Sequence, residues 1–375
     1  MLRCNILSIF LAFSLLAGAQ DWKVVRENPQ KTFPKTVAAG NYSGIAHLHD
    51  DIYAVVSDKS DSALDFNFRI QVNPKTGELE QVENLGFTER TDGTLNDGKF
   101  WQGQEKGFDH EAIVKASDST LVITSEGYCR LKEYPVLPTS ANAPKISYQQ
   151  NLWESRWPSS DFYPNYNFES LAFDSVRQYL WTIPESTLRK DGQPATPQNG
   201  LANQLRLMRL NWGKIKENRN KEEYSEEVSS KKASAYQMDQ PSTHKKADIY
   251  VMGVSELCAL PDGLLLVLER EAFIPKIKIG AFCKCKLYQI NPLNSEEFAL
   301  KEKFSSDTPF LKKRLLAEWK TGLSLSKRSF ANYEGMCLGP KLEDGSQVVI
   351  LLSDSQDQYA GVLKDWFKTI VIRKE

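Results

Sequence analysis

One short unit occurs five times in the sequence, and this repeat constrains the fold more than any other feature. Each unit has an apolar run, a turn rich in Asp, Ser, Pro or Gly, and a second apolar run, which is the pattern of a β-hairpin. A repeated supersecondary unit determines the architecture because neighbouring copies must pack on one another. The five hairpins are YSGIAHLHDDIYAVVSD ending at Asp58, HEAIVKASDSTLVITSE at Glu126, FESLAFDSVRQYLWTIPE at Glu185, SELCALPDGLLLVLE at Glu269 and YEGMCLGPKLEDGSQVVILLSD at Asp354.

Further strand-like runs follow each hairpin. They alternate apolar and polar residues, as half-buried strands do. The third runs are 66–73, 130–136, 204–211, 285–291 and 368–374, and the candidate fourth runs are 79–87, 146–153, 231–238 and 313–320. The last unit has no fourth run of its own, but residues 21–28 could close it from the amino terminus. Four-stranded units without helical periodicity predict an all-β chain, a β-propeller with five visible blades and room for a hidden sixth.

The amino terminus has the pattern of a secretory signal peptide. Arg3 precedes an apolar run from Ile6 to Leu16, and small residues follow up to position 19. We therefore predict a signal peptide over 1–19, a single propeller domain over 20–375 and a secreted or periplasmic location. No later run approaches the roughly 18 apolar residues that span a bilayer, so no membrane span is predicted. Residues 213–248 begin with a charged, apolar-poor stretch, which indicates an insertion between blade strands.

Composition and motifs exclude several functional classes. The formal net charge of −1 gives no broad basic face for nucleic acid, and 41% hydrophobic residues are enough for a sizeable core. No Gly-x-Ser-x-Gly, P-loop or His-Glu-x-x-His motif occurs, so serine hydrolases, nucleotide-binding proteins and zinc proteases lack their signatures. We expect a monomer that binds a small anionic ligand.

Acidic residues recur at both ends of the hairpins. The first strand of a blade begins, and the second ends, at the same rim of the central channel, so these side chains are predicted to converge on one mouth. Unit one has Ser43 where the other units have the first acid. The predicted convergent acids are Glu111, Glu169, Glu256 and Glu334 from the first strands and Asp58, Glu126, Glu185, Glu269 and Asp354 from the second strands.

So many carboxylates in one concave site raise one another's pKa and require compensation. One solution is calcium or magnesium, because hard cations prefer oxygen ligands and would present a positive charge to an anionic ligand. The other is structural, with hydrogen bonds from backbone amides of adjacent blades and contacts to Arg270, Lys59, Arg189 or tyrosines. The residues leave both readings open, and all nine acids are candidate metal ligands.

Two further residues are candidates for substrate contacts. His110 lies between Asp109 and Glu111 and could act as a general acid or base, although a plain hydrogen-bonding role is the alternative. Arg270 could bind a phosphate or carboxylate through two parallel hydrogen bonds, or could pair with Glu269. Together with Glu111 and Glu169, these residues form the predicted catalytic set.

Taken in order, the hairpin motifs resemble the phytase-like family, which is described by the esterase-like activity of phytase. The resemblance covers about 40 to 374 and is carried by YSGIAHL then VVSD, DHEAI then ITSEG, NFESLAF then IPES, VSELCALPDGLLLVLERE, and NYEGMCLGP then LLSD. It implies an exported β-propeller that hydrolyses phosphoesters such as phytate, with calcium as the candidate cofactor.

These observations lead to two hypotheses. In the first, the acids hold calcium, which binds a phosphate or ester oxygen and activates the attacking water. In the second, the chain is a non-catalytic propeller that binds a carbohydrate, a peptide or an envelope partner at the same mouth and uses any metal for rigidity. The sequence does not decide whether the protein is an enzyme.

Overall fold

A computed structural model describes residues 21–60, 63–89, 95–96, 109–136, 152–218, 232–326, 328–356, 358 and 363–375. The predicted signal peptide lies outside these residues. Within them, the α-helix α1 (Trp212–Asn218) has seven residues, and no helix has the length and apolarity to cross a membrane. The described chain is dominated by β-strands, as the hairpin repeat predicts.

The strands follow one another along the chain with short connections inside each repeat. They are β1 (Trp22–Glu27), β2 (Tyr42–His49), β3 (Ile52–Ser57), β4 (Ala63–Val72), β5 (Leu79–Glu89), β6 (Leu95–Asn96), β7 (His110–Ser117), β8 (Thr120–Ser125), β9 (Arg130–Pro135), β10 (Glu154–Arg156), β11 (Phe168–Asp174), β12 (Tyr179–Pro184), β13 (Gln204–Asn211), β14 (Lys232–Gln237), β15 (Ile249–Ala259), β16 (Leu265–Ile274), β17 (Phe282–Ile290), β18 (Phe298–Ala299), β19 (Lys313–Gly322), β20 (Asn332–Lys341), β21 (Gln347–Asp354) and β22 (Phe367–Lys374).

Five antiparallel sheets form the blades of a β-propeller. Blade one is β2-β3-β4-β5-β6, blade two is β7-β8-β9-β10, blade three is β11-β12-β13-β14-β18, blade four is β15-β16-β17-β19 and blade five is β20-β21-β22-β1. The first strands β2, β7, β11, β15 and β20 contact one another in this cyclic order and line the axis. The described residues therefore form five blades, and the alternative of a sixth is not realised in them.

The amino-terminal strand closes the last blade. β1 pairs antiparallel with β22, with Trp22 opposite Lys374 and Glu27 opposite Ile370. The Trp22 indole also donates a 2.9 Å hydrogen bond to Asp262 in blade four. The sequence prediction that residues 21–28 complete the fifth unit is thus confirmed, because β1 and β22 lie side by side in one sheet.

Two predicted segments differ in detail from the structure. The fourth strand of blade two is β10, which begins just after the predicted run 146–153, whose first six residues lie outside the described chain. The predicted charged insertion over 213–248 contains most of α1 at its start and the blade-three strand β14, while residues 219–231 are not described. The four central residues of β14, Ala233 to Tyr236, are buried, and the strand pairs with β13 from Gln237 opposite Gln204 to Ala233 opposite Met208.

The hydrophobic core lies between the blades. One cluster joins Leu266 and Leu287 of blade four to Val349 and Ile370 of blade five, and similar clusters join the other neighbours. Each fully buried aliphatic side chain of this kind contributes about 1.5–3 kcal/mol relative to an exposed one. The five cysteines of the described chain are buried and unpaired, as expected for thiols that pack like small apolar side chains. This packing holds the blades rigidly around the axis and so positions the side chains at the channel mouth.

Candidate functional site

A β-bulge near the start of each first strand turns a side chain toward the channel mouth. The pairing of first and second strands shifts between Tyr42 and Ile45, His110 and Ile113, Phe168 and Ser170, Val254 and Glu256, and Tyr333 and Gly335. Bulges commonly re-aim side chains beside functional sites. The residues that directly follow the last regular pair are Ser43, Glu111, Glu169, Ser255 and Glu334.

The second strands supply an equivalent position. The partners of Tyr42, His110, Phe168, Val254 and Tyr333 are Ser57, Ser125, Pro184, Glu269 and Ser353. The next residue along each second strand faces the mouth. These five residues are Asp58, Glu126, Glu185, Arg270 and Asp354. Blade four therefore has an arginine where every other blade has an acid.

The register corrects the sequence alignment of blade four by one residue. The sequence comparison placed Glu256 and Glu269 in the mouth, but Ser255 and Arg270 occupy those positions. A shift of one residue moves a strand side chain to the other face of the sheet. Glu256 and Glu269 are therefore separated from the other predicted acids, and each has different partners.

Glu269 lies between blades three and four. Its carboxylate accepts hydrogen bonds from the Tyr236 hydroxyl at 2.6 Å and from the Lys313 ammonium at 2.7 Å. Lys313 also pairs with Asp239 at 2.9 Å. Burial raises the pKa of Glu269 and Lys313 opposes that change. Glu269 and Lys313 therefore form a buried ion pair, and Tyr236 joins it from blade three.

Glu256 joins three first strands near the axis. One of its oxygens accepts hydrogen bonds from the backbone amides of Leu171 and Leu257, each at 2.9 Å. The backbone amide of Met336 in blade five also lowers its pKa, although burial raises that pKa well above the usual range overall. Glu256 thus matches the structural alternative of the sequence analysis, in which backbone amides of adjacent blades compensate an acid.

The remaining acids form what we call the acidic ring. It includes Asp109, which directly precedes the blade-two bulge and was not among the predicted ligands. A comparison of the residues two positions before the mouth-facing residue of each first strand would have found it. Asn41, Asn167 and Asn332 occupy this place in three other blades. The acidic ring consists of Asp58, Asp109, Glu111, Glu126, Glu169, Glu185, Glu334 and Asp354.

Arg270 contacts three acids in one half of the acidic ring and offsets part of their charge. Its Nη2 atom donates a 2.7 Å hydrogen bond to Glu185 and lies 3.6 Å from Glu169. Its Nη1 atom contacts Glu334 and donates a 2.9 Å hydrogen bond to the Asn332 side chain. Arg270 is 5% exposed, so these charge-assisted bonds are shielded from water. Blades three, four and five are thereby cross-linked at the mouth.

A glycine permits this approach. A Cβ atom at Gly253 would lie 2.3 Å from the Glu185 side chain and 2.5 Å from its backbone oxygen. The adjacent Val254 amide donates a 3.1 Å hydrogen bond to that oxygen. Gly253 therefore allows blade four to pack closely against the end of β12, which places Arg270 beside Glu185.

The other half of the acidic ring lacks an arginine partner among the described residues. Carboxylate oxygens of Asp58, Asp109 and Glu111 lie within 4.8 Å of one another, and so do those of Glu111, Glu126 and Glu169. Lys59 reaches this half at the rim, 3.4 Å from Asp58. Glu111 belongs to both groups, so it is the centre of the carboxylate cluster.

Burial raises the pKa of every acid in the ring. It raises the pKa of Glu126 to about 7, and it raises that of Glu334 to about 7 even though Arg270 opposes it. Burial and the neighbouring acids Glu169 and Asp58 hold the pKa of Glu111 well above the usual range. The same direction, caused first by burial, applies to Asp58, Asp109, Glu169, Glu185 and Asp354. Without a cation, the ring therefore retains protons near neutral pH.

His110 occupies a different environment from the acids. It is 1% exposed and its imidazole lies against the Tyr134 ring, with centroids 6.3 Å apart. Its strand position is that of Tyr42, Phe168 and Tyr333 in other blades, which are core residues. The structure thus places the His110 side chain between blades, while its backbone oxygen accepts a 2.6 Å hydrogen bond from Ser43.

Comparison with solved structures returns propellers of low sequence identity. A putative oxidoreductase (glucose dehydrogenase) from Thermus thermophilus is 9% identical, with 92% of this chain and 99% of that chain covered and a TM-score of 0.41. An endo-arabinase from Bacteroides thetaiotaomicron is 9% identical, with 90% and 95% covered and a TM-score of 0.39. A virginiamycin B lyase from Staphylococcus aureus is 8% identical, with 93% and 99% covered and a TM-score of 0.33.

Sequence comparison gives a family. No curated protein matches the chain. The family model described as phytase-like, esterase-like activity of phytase, matches residues 37–356, which include all eight acids of the ring and Arg270. The chain therefore belongs to the phytase-like family.

Proposed function

We propose that the protein is an exported, calcium-dependent hydrolase that cleaves phosphoesters or related esters of small anionic molecules at the acidic ring. The observation that carries the proposal is the uneven distribution of charge in the ring. Arg270 contacts Glu169, Glu185 and Glu334, whereas no arginine of the described residues pairs with Asp58, Asp109, Glu111 or Glu126, and Lys59 lies beside Asp58 at the rim. We further propose that it acts as a monomer without nucleic acid.

The donor set fits calcium. Calcium takes six to eight oxygen ligands at about 2.3–2.6 Å in flexible geometry, so two ligands of one ion lie no more than about 5 Å apart. The two carboxylate groups satisfy this limit. In addition, Oδ1 of Asp58 and Oδ1 of Asn167 are buried and have no hydrogen-bond partner in the described chain. Asp58, Asp109 and Glu111 would hold one ion, and Glu111, Glu126 and Glu169 offer a second position.

The protein residues have separate tasks in this proposal. A bound calcium ion would supply Lewis-acid polarisation of a phosphate or ester oxygen. Glu169 lies between the two halves of the ring, in a carboxylate group with Glu111 and 3.6 Å from Arg270. This position makes Glu169 the candidate base that accepts a proton from the attacking water. Arg270 orients Glu169 and Glu185 and keeps that side of the mouth closed to bulk water.

One observation favours a non-catalytic binding propeller as the second candidate. Both terminal nitrogens of Arg270 are already engaged by ring side chains, so Arg270 is not free to grip a substrate oxyanion. In this alternative, calcium would serve only to hold the blades together at the mouth. A carbohydrate, a peptide or an envelope partner would then bind above a neutralised ring.

The test combines calcium binding with turnover. Hydrolysis of p-nitrophenyl phosphate, p-nitrophenyl acetate and phytate is measured in calcium and in chelator, and calcium binding is followed by the melting temperature. We expect Glu111→Gln to raise the calcium concentration for half-maximal stabilisation by about tenfold or more, as loss of a charged ligand does. We expect Glu169→Gln to lower kcat by about 10²–10⁴ while calcium still stabilises the variant.

Glu343→Gln, an exposed acid far from the ring in the fold, is the matched control and should behave as wild type. Calcium stabilisation without turnover of any ester would support the binding propeller instead. Absence of calcium stabilisation in the wild-type protein would overturn the metal site itself.

A further inference from the structure

Blade four projects beyond the acidic ring. In the other blades the second strand ends at or next to the ring position, but β16 continues past Arg270 to Ile274. β15 begins correspondingly early, and the pair extends from Gly253 opposite Arg270 to Ile249 opposite Ile274. Four extra residues at about 3.3 Å each carry this hairpin roughly 13 Å past the ring. The mouth therefore has one raised edge.

Two loops hydrogen-bond to each other at the end of this projection. Residues 275–281 connect β16 to β17, and the described residues 323–326 and 328–329 follow β19. The Gly280 amide donates a 2.8 Å hydrogen bond to the Leu323 oxygen, and the Leu323 amide donates a 2.9 Å hydrogen bond to the Ala281 oxygen. We call these two loops, together with Ile249, the blade-four tip.

Large aliphatic side chains are exposed at the blade-four tip. Leu325 is 89% exposed and Ile277 is 75% exposed, while Ile279 and Ile249 are about half exposed at 48% and 50%. Single exposed aliphatics are ordinary on protein surfaces, but a group on adjacent loops marks an interaction site.

The cations around these side chains give the tip a positive charge. Lys276 and Lys278 flank Ile277 along the chain, and Arg328 is exposed in the second loop. Lys278 pairs with Asp248 at 3.2 Å, and Asp248 is preceded by the exposed Lys245 and Lys246. The whole chain has a formal net charge of −1, so this local excess of cations is not a general property of the surface.

We propose that the blade-four tip docks on an anionic lipid surface. Aliphatic side chains on projecting loops can enter the boundary between headgroups and acyl chains, and basic residues beside them are attracted to anionic headgroups. The aliphatic side chains alone would bind weakly because they bury little area, and the basic side chains alone would bind weakly because salt screens their charge. Both components are therefore needed for docking. Docking in this way holds the acidic ring within about 13 Å of the lipid surface.

The charge pattern favours lipid over a second copy of the chain. The acidic ring is the complementary charge on the protein, but five of its eight acids are buried, the other three are partly buried, and Arg270 offsets part of their charge. A protruding tip on one copy would therefore meet a recessed site on another. Self-association is nevertheless treated as a distinct outcome of the test.

The test is vesicle sedimentation with the full mature chain. Vesicles of phosphatidylcholine alone are compared with vesicles containing about one-third phosphatidylglycerol, at low and at high salt. We expect binding to the anionic vesicles and a strong loss at high salt. Ile277→Ser with Leu325→Ser should lower the partition coefficient by about tenfold or more, because two exposed aliphatic side chains no longer enter the interface.

Charge reversal tests the basic component separately. Lys276→Glu changes the tip by two charges, and at about fivefold per charge this predicts a loss of roughly 25-fold on anionic vesicles. Val176→Ser and Lys303→Glu are the matched controls, because Val176 is 74% exposed at another turn and Lys303 is exposed outside the tip. Both controls should bind like wild type, and all variants should keep the wild-type melting temperature.

The proposal is overturned by any of four results. Wild-type protein could fail to sediment with anionic vesicles, or could bind neutral vesicles equally well. Tip variants could bind as tightly as the two controls. A dimer in solution that dissociates in the Ile277→Ser, Leu325→Ser variant would assign the tip to self-association.

Discussion

Replacing Arg270 with methionine should make folding strongly dependent on pH. Methionine has similar length but removes the charge that contacts Glu169, Glu185 and Glu334. Removing one partner of a buried ion pair costs about 3–5 kcal/mol, because the other partner remains as an uncompensated charge. The three carboxyl groups can reduce this cost only by binding protons.

The magnitude at each pH follows from proton linkage. Burial already holds the pKa of Glu334 at about 7 while Arg270 lowers it, so loss of Arg270 must raise that pKa further. A carboxyl group whose folded pKa exceeds its unfolded pKa stabilises the fold at low pH, and this stability is lost as pH rises through the folded pKa. Each proton that the folded state binds in excess of the unfolded state lowers the free energy of unfolding by about 1.4 kcal/mol for every unit by which the pH rises.

Arg270→Met should therefore cost more near pH 7.5 than near pH 5, and as much as about 3–5 kcal/mol at the higher pH, where the wild-type acids lose their protons beside the guanidinium. The measurement is urea unfolding in chelator at both pH values. Adding Glu334→Gln to Arg270→Met should recover part of the loss at the higher pH. A cost that is equal at the two pH values, or below about 1 kcal/mol at both, would refute the view that Arg270 neutralises the ring.

Three further predictions concern the ring, the axis and the closing strand. In chelator, the wild-type melting temperature should fall as pH rises from about 5 to 8, because folded Glu126 and Glu334 retain protons up to about pH 7. Calcium should reverse this trend. A gain in stability of the chelated protein over this pH range would contradict the prediction. Glu256→Leu should cost about 1–3 kcal/mol in urea unfolding, since it leaves the buried Leu171 and Leu257 amides without their acceptor. Trp22→Ala should cost about 3–5 kcal/mol, because this buried side chain anchors β1 to blade five and to blade four, and a cost under 1 kcal/mol would show that β1 does not close the propeller.

The blade hairpins were predictable because their pattern is local and repeated. Alternation and turn residues such as the Pro-Asp-Gly before Leu264 specify a hairpin without reference to the rest of the chain. The third strands follow directly, and the structure places β13 at the predicted 204–211. The closure of the fifth blade by residues 21–28 was predictable from the number of strand-like runs in each unit, since the fifth unit has no fourth run of its own.

Outer strands and long connections were less accessible. β10 has three residues and β18 has two, so neither has enough alternation to indicate a strand. They are held by pairing with β9 and β14, which is a tertiary effect. The raised edge of blade four was likewise hidden, because the run from Glu271 to Ile274 looks like the end of an ordinary strand.

The candidate site shows most clearly what sequence similarity misses. Blade four contains Ser-Glu at 255–256 and Glu-Arg at 269–270, so matching glutamates to the other units gives an alignment that is off by one residue. Hydrogen-bond register, not residue identity, decides which side chains face the mouth. Because β15 and β16 are paired, the mouth-facing positions of both strands differ by one residue from those that the glutamates suggest. Serine and arginine in place of two acids remove two negative charges and add a positive one at a single blade. This exchange makes an otherwise repetitive ring asymmetric: Arg270 offsets charge in one half, and the half centred on Glu111 is where we propose that calcium binds.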